Sequence, residues 1–145
     1  MRINALVLLI ALIATIANLP GCTSATAPKS TRVNYGSGIK VSGVITYRER
    51  IALPDNAVVT ARLLDVSKAD APIALCEQII SNPGQVPVPF VLTVDAAKVD
   101  QNRNYAIEAT IKVGGQVRWK NNQNYGVITR GNPLNGLMVW VQQAD

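Results

Sequence analysis

From about residue 38 onward, apolar and polar positions alternate with a period of two, and turn residues interrupt the alternation every ten or so positions. In the first such run Ile39, Val41, Gly43, Ile45 and Tyr47 share one face, while Lys40, Ser42, Thr46 and Arg48 share the other. Pro54-Asp55-Asn56 then predicts a turn, because Pro presets the backbone and Asp or Asn bonds to nearby amides. Strands are expected over residues 57 to 66 and 73 to 80, separated by a polar stretch, with a further turn at Asn82-Pro83-Gly84 and a strand from 86 to 94. Residues 105 to 113 and 116 to 120 flank Gly114-Gly115, the signal of a two-residue hairpin loop. A strand over 137 to 141 closes the pattern, and 125 to 129 adds a short one, giving seven or eight in all. The expectation is an all-β chain folded as one immunoglobulin-like or transthyretin-like β-sandwich over residues 39–145.

Two local details refine this. Asp95 can cap a single helical turn at Ala96-Ala97-Lys98, followed by a polar corner and then Tyr105 at the head of a strand. That order resembles the tyrosine corner of immunoglobulin-like sandwiches; a core tyrosine without the special hydrogen bond is the alternative. Pro87 and Pro89, two residues apart, remove donors from the same side of their strand, which marks it as an edge or as bordered there by a gap; an extended recognition segment is the alternative.

The alternation is absent from the start of the chain. Arg2 is followed by an apolar run from Ile3 to Ala17, interrupted only by Asn4 and Thr15, and Asn18, Pro20 and Gly21 end it before it reaches the roughly 20 residues of a spanning helix. Leu19-Pro20-Gly21-Cys22 then resembles a bacterial lipobox, although Pro20 stands where a small residue is usual. An ordinary secretory signal or uncleaved anchor is the alternative. The lipobox implies a signal peptide over residues 1–21 and a diacylglyceryl group on Cys22, whose palmitate-type chains would hold the protein stably on a membrane. Thr23, rather than Asp, after the cysteine favours the outer membrane, with the domain facing the periplasm. Residues 22–38 are rich in Ser, Thr, Ala, Pro and Gly and read as the lipidated N-terminus and a flexible tether.

Composition narrows the chemistry. The net charge of +5 comes from 14 Lys and Arg against 9 Asp and Glu, scattered without an aromatic-interleaved basic patch, so nucleic acid is not an expected partner. There is no histidine, which removes Ser-His-Asp and Cys-His catalysis, histidine zinc sites and the usual neutral-pH general base. No glycine-rich phosphate loop, cysteine cluster or spaced carboxylate pair is present, so no catalytic residue, metal ligand or cofactor is assigned. With Cys22 lipidated, Cys76 has no intramolecular partner and reads as a packed structural thiol. Tyr47, Trp119, Tyr125 and Trp140 fall in or beside strands, where packing is the default role. Arg48-Glu49-Arg50 reads as solvated strand-end charge and Arg130 as a loop charge.

The run Gly43-Val44-Ile45-Thr46-Tyr47-Arg48-Glu49-Arg50-Ile51-Ala52-Leu53-Pro54 is the most specific of several blocks that together resemble the YbaY/YscW lipoprotein family. The others are Leu63-Leu64-Asp65-Val66-Ser67 with Ala71-Pro72, Pro87-Val88-Pro89-Phe90, and Thr129-Arg130-Gly131-Asn132-Pro133. The resemblance implies an outer-membrane lipoprotein with a compact sandwich that binds rather than catalyses. Its YscW branch implies a pilotin-like chaperone that escorts a secretin; its YbaY branch implies a general envelope lipoprotein with an unknown partner or a glycan. Only Cys22, as the lipid attachment site, carries over by position; partner-binding residues and oligomeric state do not.

Overall fold

The computed structural model describes residues 38–145; the expected signal peptide, Cys22 and nearly all of the expected tether lie outside the described residues. Gly38, read from sequence as the last tether residue, is the first residue of β1 (Gly38–Thr46). There follow β2 (Ala57–Asp65), β3 (Ile73–Ser81), β4 (Val88–Asp95), β5 (Tyr105–Val113), β6 (Gln116–Lys120), β7 (Tyr125–Val127), β8 (Leu137–Trp140) and the two-residue β9 (Gln142–Gln143). Among the described residues the sandwich therefore has nine strands, the addition to the expected seven or eight being β9, too short to leave an alternation.

One sheet has the order β4-β1-β8, with β1 antiparallel to β4 and parallel to β8. The other runs β3-β2-β5-β6-β9, and β7 pairs with the first residues of β5 while β6 pairs with its last. Period-two patterning sends Val41 and Ile45 of β1, Val59, Ala61 and Leu63 of β2, Phe90 and Leu92 of β4, and Ile107 and Ile111 of β5 into one core between the sheets. Gly43 belongs to the same inward face, where its missing side chain lets β8 approach closely at Leu137.

The local signals act as read. Gly114 and Gly115 have φ of 58° and 82°, the left-handed pair that a tight hairpin turn requires. Asp95 Oδ1 accepts from Ala97 N at 2.9 Å and so caps a single 3-10 turn, Ala96–Lys98. The Tyr105 hydroxyl accepts from the Asp100 N–H at 2.8 Å, five residues upstream, which is the corner hydrogen bond rather than a bare core tyrosine. β4 is an edge strand that starts at Val88 rather than at residue 86, so Pro89 lies within it and Pro87 just ahead of it. Its Val91 N–H is occupied by Gln78 Oε1 of β3 at 2.8 Å, so that edge is doubly unavailable for pairing.

Candidate functional site

The segment leaving β1 divides the aromatic residues into two roles. Tyr47 and Trp119 are buried and stacked, ring centroids 5.1 Å apart at 10°. The Tyr47 hydroxyl donates to the Ile51 carbonyl at 2.8 Å, which folds the 47–51 segment back on itself. Burial, and secondarily the nearby Glu49 carboxylate, push the Tyr47 phenol above its ordinary pKa, so it stays neutral. Trp140, by parity with buried Val139, turns to the outside, where the Arg48 guanidinium stacks over its ring at 5.1 Å. Its backbone N–H donates to the Tyr125 hydroxyl at 2.8 Å, joining β8 to β7. Packing thus accounts for Tyr47 and Trp119, whereas Trp140 is a surface group with a cationic partner.

Arg48 and Arg50 are exposed, as expected of strand-end charges, whereas Glu49 is partly buried and departs from that expectation. Arg48 and Glu49 share one site. With Gln123, Trp140, Gln142 and Gln143 they line an open cleft of about 400 Å³. Glu49 Oε2 is sealed from solvent there without a hydrogen-bond partner, as is Trp119 Nε1 in the adjoining core. The cleft is polar and rich in amides but has no second carboxylate, and among the described residues no group of three His, Cys, Asp or Glu side chains could hold a metal. It offers hydrogen bonding and no acid–base pair. Arg130 is exposed with a φ of 60°, a loop position next to the buried Thr129.

A different surface opens along β3. Among the described residues this nine-residue strand ends its sheet, so one side of its backbone has no strand partner there. It carries no Pro or Lys, and its one charge, Glu77, lies 3.0 Å from Arg62 of β2. Ile73 and Ile79 are 55% and 60% exposed. Edge strands are ordinarily guarded by lysine, proline or inward charge; β4 has such guards and β3 lacks them. Beside the start of β3, Ile73, Leu75 and Val99 line a shallow groove together with the charged Asp65, Lys98, Asp100 and Arg103. Sequence reasoning identified β4 as an edge from its prolines but passed over β3, although the lack of any guard in Ile73–Ser81 was readable. Cys76, half-buried on β3, packs against the core, and burial pushes its thiol up, which keeps it protonated and inert.

Asp65 is the buried carboxylate of this region, and its role is structural. Oδ1 accepts from Ser67 N at 3.0 Å and Oδ2 from Arg103 Nη1 at 2.6 Å. Ser67 Oγ in turn accepts from Asn104 N, and the Thr129 hydroxyl donates to the Arg103 carbonyl, so the end of β2, the tyrosine corner and the loop after β7 are tied together. The Ser67 hydroxyl and then the Arg103 guanidinium hold the Asp65 carboxyl down to about 2. A depressed carboxylate stabilises the fold fully above its unfolded pKa of about 3.9, and that contribution is lost as pH falls through the folded value. Asp65→Asn is therefore expected to cost about 2 kcal/mol at neutral pH. The difference from wild type should shrink between pH 4 and about 2, measured by urea unfolding at a series of pH values; a pH-independent difference would contradict the ion-pair account.

Residues 37–139 match the family profile of the type III secretion system lipoprotein chaperone YscW. The chain belongs to the YscW family. The chain is also 36% identical over 106 residues to the uncharacterized lipoprotein YbaY of Escherichia coli (strain K12), a match covering 71% of this chain and 56% of that one. It thus accounts for a little over half the length of that relative. Among solved structures, an alternative pilotin from the type II secretion system of Vibrio cholerae superposes with a TM-score of 0.66 at 39% identity, covering 72% of this chain and 97% of that protein. The YscW family is named for a chaperone of type III secretion, while the pilotin serves type II, so membership does not tie the chain to one secretion system. The family is named for a chaperone.

Proposed function

We propose that the protein is a lipid-anchored pilotin-like chaperone, attached through Cys22 to the periplasmic face of the outer membrane, that captures a segment of a secretin subunit. The observation that carries this reading is the likeness to a pilotin at 39% identity across 97% of that protein's length. Attachment through a lipid is read from the Leu19-Pro20-Gly21-Cys22 stretch, and no helix among the described residues is long and apolar enough to cross a membrane. The reading assigns capture to β3, whose unguarded backbone and flanking Ile73 and Ile79 suit an extended client segment added as a further strand.

Ile79→Lys tests the assignment. Ile79 is exposed, so the fold should lose no more than about 0.5 kcal/mol. A lysine on the edge opposes pairing, and affinity for the C-terminal segment of a secretin encoded in the same genome should fall at least about tenfold by calorimetry. Unchanged affinity would remove β3 as the capture site; no affinity in the wild type would remove the pilotin reading itself and leave the general envelope role as the better account.

A further inference from the structure

The outer face of the three-stranded sheet has a pattern that client capture does not use. Directly paired residues point to the same side of a sheet, and Val44 of β1 is paired on one flank with Pro89 of β4 and on the other with Met138 of β8. The neighbouring Ile45, Val88 and Val139 are buried, so Val44, Pro89 and Met138 form an apolar row across the outside. Val91, level with Ser42, and Trp140, level with Thr46, extend that row obliquely. Val91 and Met138 are each 52% exposed. Lys40 stands toward one end of the face and Arg48, stacked on Trp140, at the other; Asp95, opposite Gly38, and Glu49 accompany them, so apolar contact dominates over charge.

The geometry points to this face as a docking surface for the bilayer to which the protein is anchored. The inference rests on lipidation at Cys22. That residue lies sixteen positions ahead of Gly38, the first residue of β1, and β1 is the central strand of the face. Sixteen residues reach at most about 55 Å. The anchored domain is thus confined near its own membrane, and even weak surface contact is made intramolecular. The composition suits the interface: a tryptophan at headgroup level, an arginine whose stem lies on the ring while its charge reaches phosphate, and short apolar groups between. The acyl chains supply retention, and the face supplies orientation. With this sheet toward the lipid, the opposite sheet and its open β3 edge are left clear for a client.

The test uses the full lipidated protein in vesicles of phosphatidylethanolamine with a quarter phosphatidylglycerol, their acyl chains brominated near the glycerol end. Tryptophan emission should be quenched relative to unbrominated vesicles. The quenched component should vanish in Trp140→Phe, because Trp119 is buried against Tyr47. Val91→Gln combined with Met138→Gln should lose the quenching while flotation and thermal stability stay as in wild type, since both side chains are exposed. Flotation without quenching overturns the docking and leaves the anchor intact, as does equal quenching in the double variant. Trp140 emission indifferent to bromine but shifted by a secretin segment assigns the face to the client instead, and overturns it too. If the wild type fails to float, the lipid reading falls and the inference with it.

Discussion

Replacing Gly43 with Ala is expected to cost about 3 kcal/mol and to lower the melting temperature by roughly 15 °C. A Cβ on Gly43 would lie 2.3 Å from the Leu137 carbonyl oxygen, 2.6 Å from the Leu137 Cβ and 2.9 Å from its carbonyl carbon. Two of those atoms are backbone of β8, held parallel to β1 with Gly43 and Leu137 as partners. Relief requires the strands to separate, and the core residues Val139 and Ile45 sit just beyond. The comparison that isolates this effect is Gly114→Ala. Gly114 has a φ of 58° but open space around it, so alanine there meets only backbone strain of about 1–2 kcal/mol. Thermal unfolding of the two variants should rank Gly43→Ala as the more damaging. The reverse order would mean that β8 yields easily and that Gly43 is not a spacing residue.

Gly43 also shows where sequence reading reached its limit. Its place on the inward face follows from alternation with Val41 and Ile45, but the need for a glycine arises from a parallel contact with a strand more than ninety residues away. Features encoded within a few residues were legible: the Gly114-Gly115 turn, the Asp95 cap, the Tyr105 corner and the proline-marked edge of β4. Features created by pairing at a distance were not. The sharing of one flank of β5 between β6 and β7 depends on a register that no local pattern records. The same holds for Glu49, whose sealed oxygen lies at a cleft that it shares with Gln142 and Gln143, more than ninety residues away. Trp140 is an intermediate case, since parity with Val139 places it outside, and only its stacking with Arg48 needed the fold.

Cys22→Ser is expected to leave capture of a client intact and to abolish its delivery. Recognition, in the proposed reading, is carried by β3 and the sandwich behind it, none of which includes residue 22. Retention at the membrane is carried by acyl chains, each worth ~0.8 kcal/mol per buried methylene, and a serine cannot form the thioether that holds them. The variant should therefore bind the secretin segment by calorimetry with the affinity of the wild type, yet incorporate no fatty-acid analogue in cells. It should accumulate in an unprocessed or soluble form. Membrane fractionation should then find the secretin drawn away from the outer membrane, a worse result than deleting the protein, because a soluble binder competes without delivering. Ile79→Lys should produce the opposite pair of results: normal lipid labelling and fractionation of the chaperone, with the client no longer attached. Equal fatty-acid labelling of wild type and Cys22→Ser would sink the lipoprotein reading. A secretin that still reaches the outer membrane when its only copy of this chaperone carries serine would show that delivery runs by a route independent of the lipid.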